Sequence, residues 1–112
     1  MKIAILLPYK ENFSPEYPGA VSLFVNATSQ KSKYKKNIIV FGNTNFKKKF
    51  KIKYININLL KNPLSSQTKK YVNNFASVQK KYKFSIIEVH NRPSYIIQLA
   101  KKLPDQIFSL FF

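Results

Sequence analysis

Five short apolar runs recur along the chain, at residues 2–7, 37–41, 52–57, 84–89 and 106–112. Each has the length of a strand, and turn-forming or polar residues separate it from the next. Three of the four intervals between them carry a helical pattern instead. Strands that alternate with helices pack as a mostly parallel sheet covered on both faces. The predicted fold is therefore α/β, with about five strands and helices on both faces of the sheet.

The first helical interval opens at Gly19, with Ala20, Phe24 and Ala27 on one face and Val21, Leu23 and Val25 widening it. Lys31, Lys33, Lys35 and Lys36 gather near its end, where the helix dipole favours cations. Ser65 or Ser66 caps the second helix, which runs to about Lys83 on a stripe of Tyr71, Phe75, Val78 and Tyr82, supported by Val72 and Ala76. The third has Pro93 in its first turn and a stripe of Ile96, Leu99, Ala100 and Leu103 before Pro104 stops it. Residues 8–18 carry three prolines and form a long polar loop after the first strand. Residues 52–57 alternate strictly, with Ile52, Tyr54 and Asn56 on one face, as a strand near an edge does. Only nine residues, 43–51, precede it, and a parallel crossover needs about a dozen or more. A hairpin, or a loop without a helix, is predicted for that pair.

At 112 residues the chain fits a single domain spanning 1–112. Its last strand leads into no further element, so the domain is expected to be incomplete at its carboxyl end. Cysteine is absent, which excludes disulfides and thiolate chemistry. One histidine and four acids leave little from which to build a metal site, and none is expected. Lys2 is followed by only five apolar residues before Pro8, too few for a secretory signal, and no run reaches the roughly 20 apolar residues of a membrane span. A soluble, cytoplasmic protein is expected.

The net charge of +16 would attract a polyanion, either nucleic acid or an anionic membrane. Nearly all of it is lysine, however, in a chain also rich in isoleucine and asparagine. Those residues share A/T-rich codons, which favours genome composition over a partner as the cause. Arginine, whose planar fork suits phosphate and base edges, occurs once. Peripheral contact at the inner face of an anionic membrane is retained as an expectation, and a nucleic-acid partner is disfavoured.

Polar chemistry concentrates in Glu88-Val89-His90-Asn91-Arg92-Pro93, which holds the only histidine and the only arginine. The cluster stands where a strand hands over to a helix, and open α/β sheets bind ligands outside the carboxyl ends of their strands. Strand alternation sends Glu88 and His90 to one side, where a carboxylate can fix the tautomer of an imidazole. Asn91 can cap the next helix, and Arg92 can reach an anion or a sugar hydroxyl. The bland alternative is a strand end bonded to its own loop, with Arg92 on the surface. Gly19, at the start of the first helix, would let an anion approach the backbone, although one glycine equally serves a tight turn. No G-x-G-x-x-G, P-loop or G-x-S-x-G pattern is present, and the four acids make no convincing glycosidase pair.

Four segments together carry a resemblance: Lys2-Ile3-Ala4-Ile5-Leu6-Leu7-Pro8, Pro18-Gly19-Ala20-Val21, Val40-Phe41-Gly42 and Ile87-Glu88-Val89-His90-Asn91-Arg92-Pro93. In order and spacing they look like the amino-terminal half of a family 4 glycosyltransferase. The likeness covers nearly the whole chain and is least specific over residues 43–83. It implies the Rossmann-like amino-terminal lobe of a two-lobed GT-B enzyme, one that holds the acceptor. Such an enzyme transfers a sugar, with retention, from a nucleotide-sugar donor to a glycan or lipid-linked acceptor in polysaccharide biosynthesis. The donor is a substrate, and no cofactor or metal is implied. By the same resemblance Gly19 and Ala20 would lie near the donor diphosphate. His90 would face the cleft with Glu88 as catalytic partner, and Asn91 and Arg92 would contact substrate. The family's usual Gly-Gly is Pro18-Gly19 here. Its second-lobe motifs are absent, so this chain alone is expected to be inactive. The alternative expectation is a small basic module that binds nucleic acid or anionic membrane.

Overall fold

The computed structural model describes residues 1–44, 46–60 and 66–112. Its elements in chain order are β1 (Ile3–Leu6), α1 (Ala20–Lys31), β2 (Ile38–Gly42), β3 (Tyr54–Asn56), α2 (Gln67–Val78), β4 (Ile86–His90), α3 (Pro93–Lys102) and β5 (Ile107–Phe111). Short 3-10 turns, Lys35–Asn37 and Gln79–Tyr82, precede β2 and follow α2. The strands form one sheet in the order β3-β2-β1-β4-β5, and every neighbouring pair is parallel. That order is the Rossmann-like one, with the chain reversing its direction of travel between β1 and β4.

β1 and β2 are buried along their whole length, as continuous apolar strands in the middle of a two-sided sheet must be. Ala4, Leu6, Ile39, Phe41, Ile87 and Val89 meet Tyr71, Val72 and Phe75 of α2 and Tyr95 and Leu99 of α3 on one face. Ile3, Ile5, Ile38 and Val40 meet Val25 of α1, together with Phe13 and Ile52, on the other. Right-handed crossovers explain the division. Connections leading toward β3 fall on one face, and those leading back toward β5 fall on the opposite one. Among the described residues α1 is the only helix on the first of these faces, over β1 and β2, and none lies above the β4–β5 half of that face.

Three local expectations are corrected. Of the two alternatives for the β2–β3 link, the hairpin is overturned and the loop without a helix is what forms: β2 and β3 are parallel, with Val40 opposite Tyr54. Residues 43–53 link them without a helix among the described residues, and Phe50 and Ile52 of that link supply the apolar cover a crossover helix would bring. The second correction concerns α1, which buries Ser22, Val25 and Ser29 while Leu23 and Phe24 are each 51% exposed. Its predicted face of Ala20, Phe24 and Ala27 points outward. Small hydroxyl side chains at positions 22 and 29 let the helix approach a sheet surface already filled by isoleucines. Finally, α3 buries Tyr95 and Leu99, whereas Ala100 of the predicted stripe is exposed. The cap of α2 is Ser66, whose hydroxyl accepts the Lys69 N–H at 3.3 Å; Ser65 lies outside the described residues.

Candidate functional site

The switch point between β1 and β4 opens at the carboxyl edge of the sheet, and the chain there is held by side chains from several elements. The Tyr71 hydroxyl of α2 donates to the Leu7 carbonyl at 2.6 Å. The Tyr95 hydroxyl of α3 accepts the Tyr9 N–H at 2.9 Å. Beyond them, Thr44 Oγ1 accepts the Phe13 N–H at 3.0 Å and donates to the Glu11 carbonyl at 3.2 Å. The Tyr54 hydroxyl lies 2.8 Å from Asn56 Oδ1 and 3.0 Å from Thr44 Oγ1. The long proline-bearing loop is therefore tied to β2, β3 and both helices of the opposite face. Lys10 and Tyr17 take left-handed conformations within it, at φ 67° and 51°.

These tyrosines are pushed toward their neutral forms. Burial holds Tyr71 well above the ordinary value. Burial also raises Tyr95, against the opposing bond from the Tyr9 N–H. Tyr54 is pushed up to about 12 by burial, opposed by its bonds with Thr44. Above the ordinary value of 10.0 the unfolded chain sheds the Tyr54 proton while the folded chain keeps it until about 12. In that window the unfolded state binds fewer protons, so stability falls as pH rises. Urea midpoints measured across the window are expected to fall less steeply for Tyr54→Phe than for the parent. Equal slopes would remove this tyrosine from the alkaline response.

Gly19 is the amino-terminal cap of α1, with an ordinary φ of −77°. The Glu11 carboxylate occupies the space a Cβ at Gly19 would take, and as the end of a flexible side chain it could shift to make room. The first turn of α1 has no acid of its own. Glu11 thus brings a negative charge to the positive end of that helix, and its carboxylate also accepts the Asn12 N–H at 3.2 Å. A phosphate can reach this position only after Glu11 swings away. Ala20 follows as the first residue of the helix and is exposed.

β4 delivers Glu88 and His90 to the same side, as alternation predicts, onto the uncovered half of the sheet. The His90 ring is 5% exposed, stacked on Phe111 at 5.0 Å and 11°, with Phe24 tilted against it at 6.1 Å. Its Nε2 stands 3.7 Å from Glu88 Oε2, too far for a hydrogen bond, and has no partner. A cavity of about 180 Å³ opens in front of it. Phe24, Thr28 and Ser29 of α1 form one wall, Glu88, His90 and Phe111 the other, and Ile3 and Ile5 lie beneath. The Ser29 hydroxyl, 2% exposed, is also without a partner. Two buried polar atoms thus await hydrogen bonds on opposite walls, an arrangement that ordinarily costs about 1–3 kcal/mol per group.

Asn91 does not cap α3, contrary to expectation. It adopts φ 56°, which asparagine tolerates better than most residues, and the cap position falls to Arg92 without a side-chain bond. The Asn91 N–H continues the ladder to the Phe111 carbonyl at 2.7 Å. Arg92 is exposed, and its guanidinium donates to the Asn91 carbonyl at 2.7 Å. Sequence reasoning missed Phe24, Ser29 and Phe111 as cavity walls, and the tyrosine hydroxyls as loop anchors. A tyrosine inside an apolar helical stripe was the one available signal, since a buried hydroxyl needs a partner. Among the described residues no cluster of side chains could hold a metal ion, and no helix is long and apolar enough to cross a membrane.

No protein-family model matches the chain, and neither do any curated proteins or solved structures.

Proposed function

We propose that this chain is the acceptor-side lobe of a retaining, two-lobed sugar transferase of the family 4 glycosyltransferase kind. The observation that carries the proposal is the unpartnered imidazole of His90 at the carboxyl end of β4, beside the switch point and open to a hydroxyl-bearing cavity. The cavity is below the roughly 300 Å³ at which drug-sized pockets begin, a size suited to a single sugar ring. Its polar groups, Thr28, Ser29, Glu88 and His90, match the alternating donors and acceptors of sugar hydroxyls, and Phe111 offers an apolar wall.

In this reading His90 orients an acceptor hydroxyl through its free Nε2, and the Glu88 carboxylate on the same wall supports it by taking a hydrogen bond from a neighbouring sugar hydroxyl. Asn91 and Arg92, exposed at the rim, contact the rest of the acceptor. Gly19 and Ala20 present backbone N–H groups to the leaving diphosphate once Glu11 has moved aside. Catalysis then rests on positioning and charge stabilisation, with the nucleotide gripped by a second lobe. The reading calls for no metal or prosthetic group.

The test is a nuclear magnetic resonance titration of the isotope-labelled chain with a panel of hexoses and N-acetylhexosamines, and separately with nucleoside diphosphates. Saturable shifts at Ser29, His90 and Phe111 with one sugar class, and weak response to nucleotides, are expected. Strong nucleotide binding with no sugar response would overturn the acceptor-side assignment.

A further inference from the structure

In a parallel sheet every strand begins on the same edge, so every segment leading into a strand ends there too. Sorted by that rule, the lysines stop being scattered. Lys2 precedes β1, and Lys31, Lys33, Lys35 and Lys36 lie between the last turn of α1 and β2. Lys51 and Lys53 lead into β3. Lys80, Lys81 and Lys83 lead into β4, and Lys101 and Lys102 end α3 just before β5. All of them are exposed. Only Asp105 offsets them there; Glu11 and Glu16 lie in the loop at the opposite edge, and Glu88 faces the cavity.

Direct contacts join these segments. The Ser85 N–H donates to the Lys2 carbonyl at 2.8 Å, and Gln106 donates to the Phe84 carbonyl at 3.2 Å. The ammonium groups of Lys53 and Lys81 sit over the same Tyr82 ring, 5.8 and 5.2 Å from its centroid. Two large apolar side chains are exposed on this edge, Met1 at 57% and Ile107 at 64%.

We infer that the amino edge of the sheet is a docking surface for an anionic lipid bilayer. Lysine is a strongly hydrated point charge on a long flexible stem, suited to mobile headgroups. The arginine fork that reads phosphates and bases in nucleic acid is missing from this edge. Met1 and Ile107 gain by entering the interface of a bilayer and gain nothing on a duplex backbone. Docked this way, the molecule stands with its strands rising from the membrane and its carboxyl-edge crevice facing away. The inference is independent of the sugar-transferase reading.

The experiment is co-sedimentation of the full chain with vesicles of phosphatidylcholine alone and of phosphatidylcholine with about a third phosphatidylglycerol, in which each lysine near the surface strengthens binding roughly fivefold. Two triple variants of equal charge change are compared. Lys36→Glu, Lys80→Glu and Lys101→Glu lie on the amino edge; Lys47→Glu, Lys48→Glu and Lys69→Glu lie toward the other. Binding to the anionic vesicles is expected to fall on the order of a hundredfold for the first triple and less than about tenfold for the second. Lys→Gln versions of both triples repeat the comparison with a gentler change, should either glutamate triple fold poorly. Equal losses, indifference to phosphatidylglycerol, or tighter binding to a DNA duplex than to vesicles at the same salt would each overturn the inference.

Discussion

Phe41→Ala is expected to destabilise the fold by about 3–5 kcal/mol, the usual cost of removing a phenylalanine ring from a closed core. Phe41 lies near the carboxyl end of β2 with no exposed surface. Its ring meets Phe75 of α2 edge-on at 4.9 Å, Phe84 at 5.7 Å and Tyr82 at 6.3 Å. Each such aromatic pair adds about 0.5–1.5 kcal/mol beyond area burial, and none can be rebuilt from a methyl group. The neighbours come from α2, the 3-10 turn after it and the segment leading into β4, so they cannot collapse together into the space. Domains of this size are stable by only about 5–15 kcal/mol, so the loss takes a large share of the total. Urea unfolding should show a lower midpoint with an unchanged slope. A loss below about 1 kcal/mol would mean that this cluster does not join the sheet to α2 as described.

His90→Phe is expected to weaken binding of the responding sugar by roughly 10- to 100-fold, the effect of one buried hydrogen bond made to a ligand. Stability should hold or rise slightly. The substitution keeps a ring stacked on Phe111 and removes a buried nitrogen that has no partner in the free protein. This opposition of signs separates a binding role from a structural one. A histidine kept for the fold would lose stability on replacement and leave affinity untouched. Calorimetric titration alongside thermal unfolding of the same variant decides between the two.

Much of the architecture was legible in the order of apolar runs and helical stretches. The five strands, the edge position of residues 52–57, the stripe of α2 and the shared side of Glu88 and His90 all follow from periodicities of 3.6 and 2. The failures came where periodicity was weakest. α1 carries apolar residues around most of its surface, so pattern alone could not say that Ser22, Val25 and Ser29 face inward. For the β2–β3 link, length alone left a hairpin and a helix-free loop both open, and Phe50 and Ile52 anchor the second, a parallel step with no helix among the described residues. Asn91 was read as a cap by residue type, but β4 pairs with β5 through residue 90, which moves the cap to Arg92.

Residue order alone determined that this chain builds a strand–helix sheet with its rarest side chains at the end of a strand, because local periodicity and turn chemistry act over a few residues. Tertiary structure alone decided which half of one sheet face has no helix over it among the described residues, that the unpartnered His90 and Ser29 side chains line one cavity there, and that Glu11 covers the start of α1. It also gathered lysines from five separate segments onto one edge. These are facts of long-range placement: strand order and crossover hand bring together groups that lie tens of residues apart, and no local preference encodes where they meet.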